Sequence, residues 1–260
     1  MNEGDVGWVE LAASMLLVAV AVGLSLWRSL GLERTILWAS VRAAAQLLAV
    51  GSALTLVVDP DQPIVWSWVW VAFMVGFAAV TIQRRAPEVP GLLSIGLVAV
   101  GAAALVSLGV VFGLGIFPVE GRTVVPVAGM MIGNSMKDAV VAARRIVGEL
   151  SDKRDEVEAR LALGQPWTAA SRPYLRSALR TALTSQIETT KSVGLVFLPG
   201  AMTGLILAGV DPVDAVLVQL ALMYLILGSV ATVIVVVGVG LTRRLFTADH
   251  RLVRLQRVAQ

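Results

Sequence analysis

Seven long apolar stretches, separated by loops of alternating charge, dominate this chain of 260 residues. Most of them approach or exceed the roughly 20 residues that a helix needs to cross a hydrocarbon core of about 30 Å. Little of the chain remains for a soluble domain, so the pattern predicts an all-α integral membrane protein with about seven transmembrane helices in a single domain over 1–260. The stretches are Trp8–Trp27, Ile36–Val58, Ile64–Ile82, Gly91–Leu114, Thr123–Val141, Ser192–Ala208 and Ala215–Leu241.

Composition excludes several kinds of chemistry. The chain has no Cys, which removes disulfides, thiolate metal sites and Cys nucleophiles together. His250 is the only His and lies in the tail, so one subunit cannot build a His-based metal site or catalytic triad. No G-x-x-x-x-G-K-[ST] phosphate loop occurs, so the protein is not its own P-loop ATPase. We therefore expect no enzyme, no cofactor bound by this chain and no nucleic-acid partner.

The charges of the loops predict an N-out, C-in orientation, because Lys and Arg accumulate on the cytoplasmic side of a membrane. Acidic residues dominate the predicted outer loops, and basic residues dominate the inner ones. The outer residues are Glu3, Asp5, Asp59, Asp61, Asp211 and Asp214. The inner set comprises Arg28, Arg34, Arg84, Arg85, nine basic side chains in 142–191, and the tail residues Arg243, Arg244, Arg251, Arg254 and Arg257. The first stretch lacks a basic leading region and is expected to remain as a span rather than to act as a signal peptide.

Residues 142–191 form the only long polar segment and are predicted to be cytoplasmic. Mixed charges at helical spacing over Ala142–Leu163 predict a continuation of the fifth span. Gly164 and Pro166 should end it, and a second short helix should begin near Trp167. Arg172, Arg176 and Arg180 then line one face of that helix at i, i+4 and i+8.

Two interpretations of this basic helix remain open. Its arginines can meet anionic lipid headgroups of the bilayer, at about 1 kcal/mol for each basic residue. Alternatively, the helix docks a cytoplasmic partner. Glu158 and Gly164 have the spacing of the EAA-x-x-x-G loop by which many ABC importer permeases engage their ATPase subunits, although Arg160 replaces an Ala of that loop.

The fifth stretch contains polar residues at a depth where lipid does not suit them. Asn134 lies about 12 Å along the helix from Pro126, near mid-membrane, and should face a neighbouring helix or a cavity. Gly129 and Gly133 have the GxxxG spacing that permits close helix approach. Asn134 and Ser135 therefore serve either a packing seam or a substrate path. Lys137 and Asp138 do not face one another, and Lys137 would repel a cation placed there.

The sixth stretch carries a charged entrance and a helix breaker. Glu188 and Lys191 are spaced to pair at the inner membrane boundary, and Pro199-Gly200 should kink or interrupt the helix. Interrupted helices often mark sites in transporters. Four methionines near these segments either pack adaptably or bind a soft metal transiently: Met130, Met131, Met136 and Met202.

Three of these runs resemble one family. PVAGMMIGNSM (Pro126–Met136), EARLALG (Glu158–Gly164) and TKSVGLVFLPGAMTGLILAGVDP (Thr190–Pro212) are similar to the FetB-like ABC-transporter permeases, which include bacterial iron-export permeases and plant aluminium-tolerance relatives. RTILWASVRAAAQLLAVG (Arg34–Gly51) and the closing span also resemble them, so the likeness covers nearly the whole chain.

The resemblance implies a multi-pass permease of the plasma membrane. It implies a homodimer that works with a separate cytoplasmic ATP-binding subunit, where ATP and Mg²⁺ would bind, and it makes export of a metal ion such as iron the first functional hypothesis. Asn134, Ser135, Met130, Met131, Met136, Met202 and Glu188 are the candidates for the substrate path, with Glu188 and Asn134 as candidate metal ligands. Glu158, Gly164, Arg172, Arg176 and Arg180 are the candidates for partner coupling. Transport of a sugar nucleotide or another small solute and ATP-independent secondary transport are the alternatives.

Overall fold

The computed structural model describes residues 7–57, 62–195, 197–247, 249 and 251–253. In these residues the chain is helical throughout, with only two isolated β-bridges, Val193 to Phe197 and Phe246 to Leu252. Several loop charges and His250 from the sequence analysis lie outside the described residues, namely Glu3, Asp5, Asp59, Asp61, Arg254 and Arg257. The helices are α1 (Trp8–Trp27), α2 (Glu33–Val57), α3 (Val65–Arg85), α4 (Leu92–Gly113), α5 (Gly121–Asp152), α6 (Arg154–Ala162), α7 (Trp167–Ser192), α8 (Gly200–Leu207) and α9 (Pro212–Leu245).

The first compact unit, Met1–Gln62, contains α1 and α2 packed as a helical hairpin. The turn between them uses the positive φ of Gly31 (69°), a conformation that costs glycine little. The buried hydroxyl of Ser25 donates to the Glu33 carboxylate at 2.7 Å and accepts from the Leu32 amide at 3.2 Å. These bonds pin the start of α2 to the end of α1.

The second unit, Pro63–Gln260, is built around α5 and α9. α9 contacts α4, α5, α7 and α8, and α5 contacts α3, α4, α7 and α9. Small residues on the contacting faces, such as Ala99, Ala128 and Ala143, are fully buried and allow close helix approach. α5 and α9 therefore form the framework against which α7 packs.

The outward faces of the helices expose many large apolar side chains, which is unfavourable in water and favourable in lipid. Leu105 and Leu207 are each 79% exposed, for example. Within the part of the chain that the structure describes, four helical segments are long and apolar enough to cross a membrane: Glu33–Leu54, Val65–Arg85, Leu92–Gly113 and Pro212–Leu245. Leu11–Trp27 is a shorter apolar helix. The prediction of an all-α membrane protein is therefore confirmed.

The fifth and sixth predicted spans differ in form from the other five. α5 is a continuous helix of 32 residues, but it contains too many polar side chains to qualify as a membrane span by composition alone. The stretch Ser192–Ala208 is not one helix: the chain leaves helical geometry after Ser192 and resumes it at Gly200 in the eight residues of α8. The predicted interruption of the helix is thus present, and it covers 193–199 rather than only the Pro199-Gly200 pair from which it was predicted.

The polar segment agrees with its prediction at the boundaries and differs in length. α5 extends to Asp152 and is followed by α6, and the break falls at Gly164 (φ 84°), as the sequence predicts. α7 begins at Trp167 as predicted, but the expectation of a short helix is wrong because α7 has 26 residues. Packing against both α5 and α9 stabilises its full length.

Candidate functional site

The candidate substrate-path residues of α5 point in different directions, so that some are buried and others are partly exposed. Met131 and Ser135 are fully buried, whereas Met130 is 36% exposed and Asn134 is half-buried. The Ser135 hydroxyl donates to the Ser229 hydroxyl of α9 at 3.2 Å, so it joins two helices rather than lining an open path. The Asn134 side-chain amide donates to the Met130 carbonyl of its own helix at 2.8 Å. Its carbonyl oxygen accepts no hydrogen bond from the described residues.

The other methionines and the GxxxG glycines are also separated by the fold. Met136 packs against the core, and Met202 is half-buried on α8. A Cβ at Gly129 would lie 3.2 Å from the Met74 methyl of α3, but a Cβ at Gly133 would meet nothing within 4 Å. Among the described residues, Gly129 therefore serves a close helix contact and Gly133 does not.

α7 is amphipathic along its whole length. Its buried face repeats every four residues and contacts α5 and α9; its members are Ala170, Tyr174, Ala178, Ala182 and Gln186. Its exposed face is polar and includes Arg172, Arg176, Arg180, Thr184, Glu188 and Lys191. The Lys191 ammonium contacts the Glu188 carboxylate at 2.9 Å. Thr184 donates its hydroxyl to the Arg180 carbonyl at 2.8 Å, which satisfies the hydroxyl within the helix.

Contacts at several levels define the direction of α7. The Ser177 hydroxyl donates to the Glu149 carboxylate of α5 at 3.3 Å. Trp167 stacks on Phe246, just beyond the end of α9, with 5.7 Å between ring centroids. Further along α7, Leu179 lies against Gly238 of α9. α7 therefore runs antiparallel to α9, starting from its C-terminal end.

α5 and α9 run parallel to each other. At one end, Arg144 of α5 pairs with Glu88 at 2.8 Å and donates to the Arg85 carbonyl. Arg244 of α9 donates at the same connection between α3 and α4, to the Ser94 hydroxyl at 2.8 Å. The basic side chains of α5 and α9 thus meet at one end of the unit, beside the end of α3.

The segment between α5 and α7 is fixed by polar contacts. Arg154 pairs with Glu158 at 2.6 Å and donates to the Leu252 carbonyl of the tail at 3.0 Å. Lys153 pairs with Glu156 at 2.9 Å. The hydroxyl of Tyr174 on α7 donates to the same Glu156 carboxylate at 2.9 Å. These bonds hold α6 against the start of α7.

The electrostatics of this contact centre on Glu156. The hydrogen bond from Lys153, and then that from Tyr174, lower the pKa of the Glu156 carboxyl below its ordinary value. Burial and the Glu156 contact raise the pKa of the Tyr174 phenol. Glu156 is therefore ionised at neutral pH, and Tyr174 remains a hydrogen-bond donor.

The proposed coupling residues are accessible. Glu158 is exposed on α6, and Gly164 lies in the turn that follows it. Leu163 beside that glycine is 83% exposed, although it is apolar. A groove of about 880 Å³ between α7 and α9 has an apolar floor that includes Leu179 and Ile234, and Arg172, Arg176 and Arg180 line its edge.

Sequence reasoning missed the polar residues of α9. Ser229 is fully buried and completes the Ser135 contact. Gln219 is also buried, and its Oε1 accepts no hydrogen bond within the described part of the chain. Both occur as isolated polar residues in an otherwise apolar stretch, and that signal could have found them. In the ranges that the structure describes, no group of three or more His, Cys, Asp or Glu side chains could hold a metal ion.

Comparison with known proteins agrees with this architecture. The chain is 36% identical to UPF0014 membrane protein STAR2 of Oryza sativa subsp. japonica over 226 residues, which cover 86% of this chain and 78% of that protein. It is 33% identical to UPF0014 membrane protein YjkA of Bacillus subtilis over 245 residues, with 94% and 98% covered. It is 31% identical to the probable iron export permease protein FetB of Escherichia coli over 257 residues, with 98% of each chain covered.

No solved structure matches the chain. The family model described as Uncharacterised protein family UPF0014 matches residues 8–246, which is nearly all of the sequence. The resemblance to FetB-like proteins is therefore confirmed, and the chain is a multi-pass membrane protein that belongs to the UPF0014 family.

Proposed function

We propose that this chain is the membrane-spanning permease subunit of an ABC transporter and that it exports a metal ion, with iron as the first candidate. Membership in the family of FetB, named a probable iron export permease protein, supports the substrate. The observation that carries the ABC assignment is the fixed helical projection formed by α6 and the following turn. It exposes Glu158, Leu163 and Gly164 while its own base is bonded to α7 and the tail.

The proposed topology has seven crossings, with the N-terminus outside and the C-terminus inside. α1 to α5 and α9 supply six of them. The sixth in chain order is composite: the second half of α7, the break at 193–199 and α8. The meeting of the Arg144 and Arg244 side chains at one end of the unit, beside the end of α3, supports an inner surface there.

A projection of this kind can transmit the closure of a partner into the membrane. An ATP-binding subunit, carrying ATP and Mg²⁺, would press on Leu163 and on the arginine edge of α7. Because α7 is a continuous helix from Trp167 to Ser192, a displacement at Arg176 moves its far end near Glu188 as well. The transporter is proposed to act as a homodimer in the plasma membrane, so that two such helices face one path.

The path is proposed to follow the half-buried faces of α5 and α8, with Asn134, Met130 and Met202 beside it. Ser135, Met131 and Met136 lie behind this surface and support it. Replacing Asn134 with Leu keeps the side-chain size and removes an amide, so we expect transport to fall at least tenfold while subunit assembly is unchanged. Val98→Leu on the exposed face of α4 is the control. An equal loss of transport and assembly would favour a packing role for Asn134.

The experiment that tests the function is ATPase activity of the chain reconstituted in liposomes with candidate ATP-binding subunits from the same organism. Fe²⁺, other divalent metals and UDP-glucose are compared as stimulants. Stimulation by metals supports metal export, and stimulation by the sugar nucleotide alone would assign a different substrate to the same permease. Failure of any ATP-binding subunit to associate would refute the ABC assignment and favour secondary transport.

The coupling surface has its own test. Arg176→Glu reverses a charge on the exposed edge of α7, and we expect copurification of the ATP-binding subunit to fall at least tenfold. Arg122→Glu makes the same reversal at the opposite end of α5 and should have no effect. Unchanged copurification of Arg176→Glu would assign the basic helix to the lipid surface instead.

A further inference from the structure

The groove between α7 and α9, about 880 Å³ in volume, combines an apolar floor with one cationic edge. On α7, each of three half-buried leucines follows an arginine by three residues, so that a stripe of leucines borders a stripe of arginines. The α9 side of the groove is apolar. The arginine edge consists of Arg172, Arg176 and Arg180, and the floor includes Leu175, Leu179, Leu183, Ala231, Ile234 and Val235.

This groove extends from one membrane interface into the hydrocarbon core. Arg243 lies in the last turn of α9, and basic residues at the end of an apolar helix mark an interface. Leu179 lies against Gly238, so the antiparallel helices place Arg172, seven residues before Leu179, level with the end of α9. Ala231, at the other end of the groove, lies about 18 Å from Arg243 along the helix axis at 1.5 Å per residue.

The direction of α7 separates the charges from the floor. Side chains of an α-helix lean toward its N-terminus, and α7 has its N-terminus at the interface end of the groove. The long arginine side chains therefore reach toward the interface, whereas the leucines remain against the apolar residues of α9. The arginine edge thus lies at the depth of lipid headgroups, and the floor lies at the depth of acyl chains.

The arginine edge lacks the acidic partners that other arginines of this unit have. Arg144 and Arg154 each pair with a glutamate, but no carboxylate of the described residues pairs with Arg172, Arg176 or Arg180. Like charges four residues apart on a helix repel each other. Each guanidinium also presents five N–H donors in a planar arrangement that matches phosphate oxygens. A phosphate at this edge would offset the repulsion and accept from these donors.

We propose that this groove binds an anionic glycerophospholipid, with the phosphate on the arginine edge and one acyl chain along the floor. A zwitterionic phospholipid carries a cationic headgroup that the arginines repel, so a net negative headgroup is favoured. A soluble protein does not reach a floor that extends about 18 Å from the interface. Each guanidinium has five donors, so the phosphate leaves others free for the ATP-binding subunit proposed above. Lipid binding itself requires neither that subunit nor a metal ion.

The test is native mass spectrometry of the full chain, purified in detergent without an ATP-binding subunit. The protein is titrated with phosphatidylglycerol or with phosphatidylcholine of the same acyl chains. We expect the first phosphatidylglycerol to bind more tightly than the first phosphatidylcholine by roughly tenfold or more. Equal binding of the two lipids would overturn the proposal, and this comparison requires no variant. A dimer that excludes both lipids would also overturn it and would assign the groove to a second copy of the chain.

Paired substitutions locate the headgroup. Arg176→Gln combined with Arg180→Gln should weaken phosphatidylglycerol binding by roughly tenfold or more and leave phosphatidylcholine binding unchanged. Arg84→Gln combined with Arg85→Gln is the matched control, because these two arginines are also exposed, lie at the same end of the unit and are outside the groove. Equal losses in the two double variants would show a general effect of surface charge and would overturn the site.

A bulky substitution tests the floor without changing any charge. Val235 is 52% exposed in the groove, so Val235→Trp should fill the floor and weaken phosphatidylglycerol binding by roughly tenfold or more. Val98→Trp makes the same substitution at an exposed valine of α4 and should have no effect. Unchanged binding by Val235→Trp would show that the floor does not hold an acyl chain. Because the assay needs no ATP-binding subunit, its outcome is independent of whether the ABC assignment holds.

Discussion

The seam between α7 and α9 offers a quantitative test of the packing. A Cβ added at Gly238 would lie 2.8 Å from the Leu179 Cδ2 and 3.4 Å from the Leu175 Cδ1. Carbon atoms in contact prefer about 3.5–4.0 Å, so Gly238→Ala already requires the Leu179 side chain to move by roughly 0.7 Å or more. Gly238→Val adds two further methyl groups at the same point. We expect this overpacking to cost about 1–3 kcal/mol.

Gly228→Val is the matched control, because it lies in the same helix and a Cβ there would meet nothing within 4 Å. The change in helix propensity is the same for both variants and cancels in their comparison. In detergent, thermal unfolding should place Gly238→Val below Gly228→Val by about 2–4 °C for each kcal/mol. Equal unfolding midpoints would refute the close contact of α7 with α9 at Gly238.

Two further predictions concern the cytoplasmic segment. The hydrogen bond from Lys153, and then that from Tyr174, lower the pKa of the Glu156 carboxyl, and Tyr174→Phe removes the second of these bonds. A carboxyl whose pKa is lowered by folding stabilises the fold above its ordinary pKa. This stabilisation is lost as the pH falls through the lowered pKa. In detergent unfolding the variant should be less stable than the wild type at pH 7, and this deficit should shrink as the pH falls below the ordinary pKa of a glutamate carboxyl. A deficit that stays constant with pH would contradict the account. Trp167→Ala removes the stack on Phe246, which contributes about 0.5–1.5 kcal/mol beyond the burial of surface area. Limited proteolysis should therefore release the C-terminal tail faster from this variant. An unchanged rate of proteolysis would show that the Trp167–Phe246 stack does not hold the tail.

The sequence predicts the elements whose signals are local. Apolar length locates the long spans, and the Gly164 and Pro166 pair locates the end of α6 and the start of α7 to within a few residues. Each of these features depends on a property of its own segment, either hydrophobicity or backbone preference.

Helical phase could not be predicted in α5. Met130 and Met131 are adjacent and chemically equal, yet one is exposed and the other is fully buried. α5 contacts five other helices, so apolar and small residues occur on most of its faces and no single stripe marks the core. The contact of Ser135 with Ser229, 94 positions away in sequence, shows which face of α5 points to α9.

The length of α7 was also hidden from sequence reasoning. Its second half carries Thr184, Thr189 and Thr190, whose hydroxyls bond to carbonyls of the preceding turn. A sequence pattern counts these residues as polar and therefore as cytoplasmic. In the folded helix their donors are already satisfied, which lowers the cost of placing them at depth.

The shortness of α8 also has a consequence for biogenesis. Eight residues span about 12 Å as a helix, less than half of the hydrocarbon core, so this segment does not carry enough apolar length to partition into lipid by itself. α9, with 34 residues and a strongly apolar middle, does. In the proposed topology, stable integration of α7 and α8 therefore follows synthesis of α9, and we expect a nascent chain that ends at Asp211 to leave both helices on the ribosomal side of the membrane.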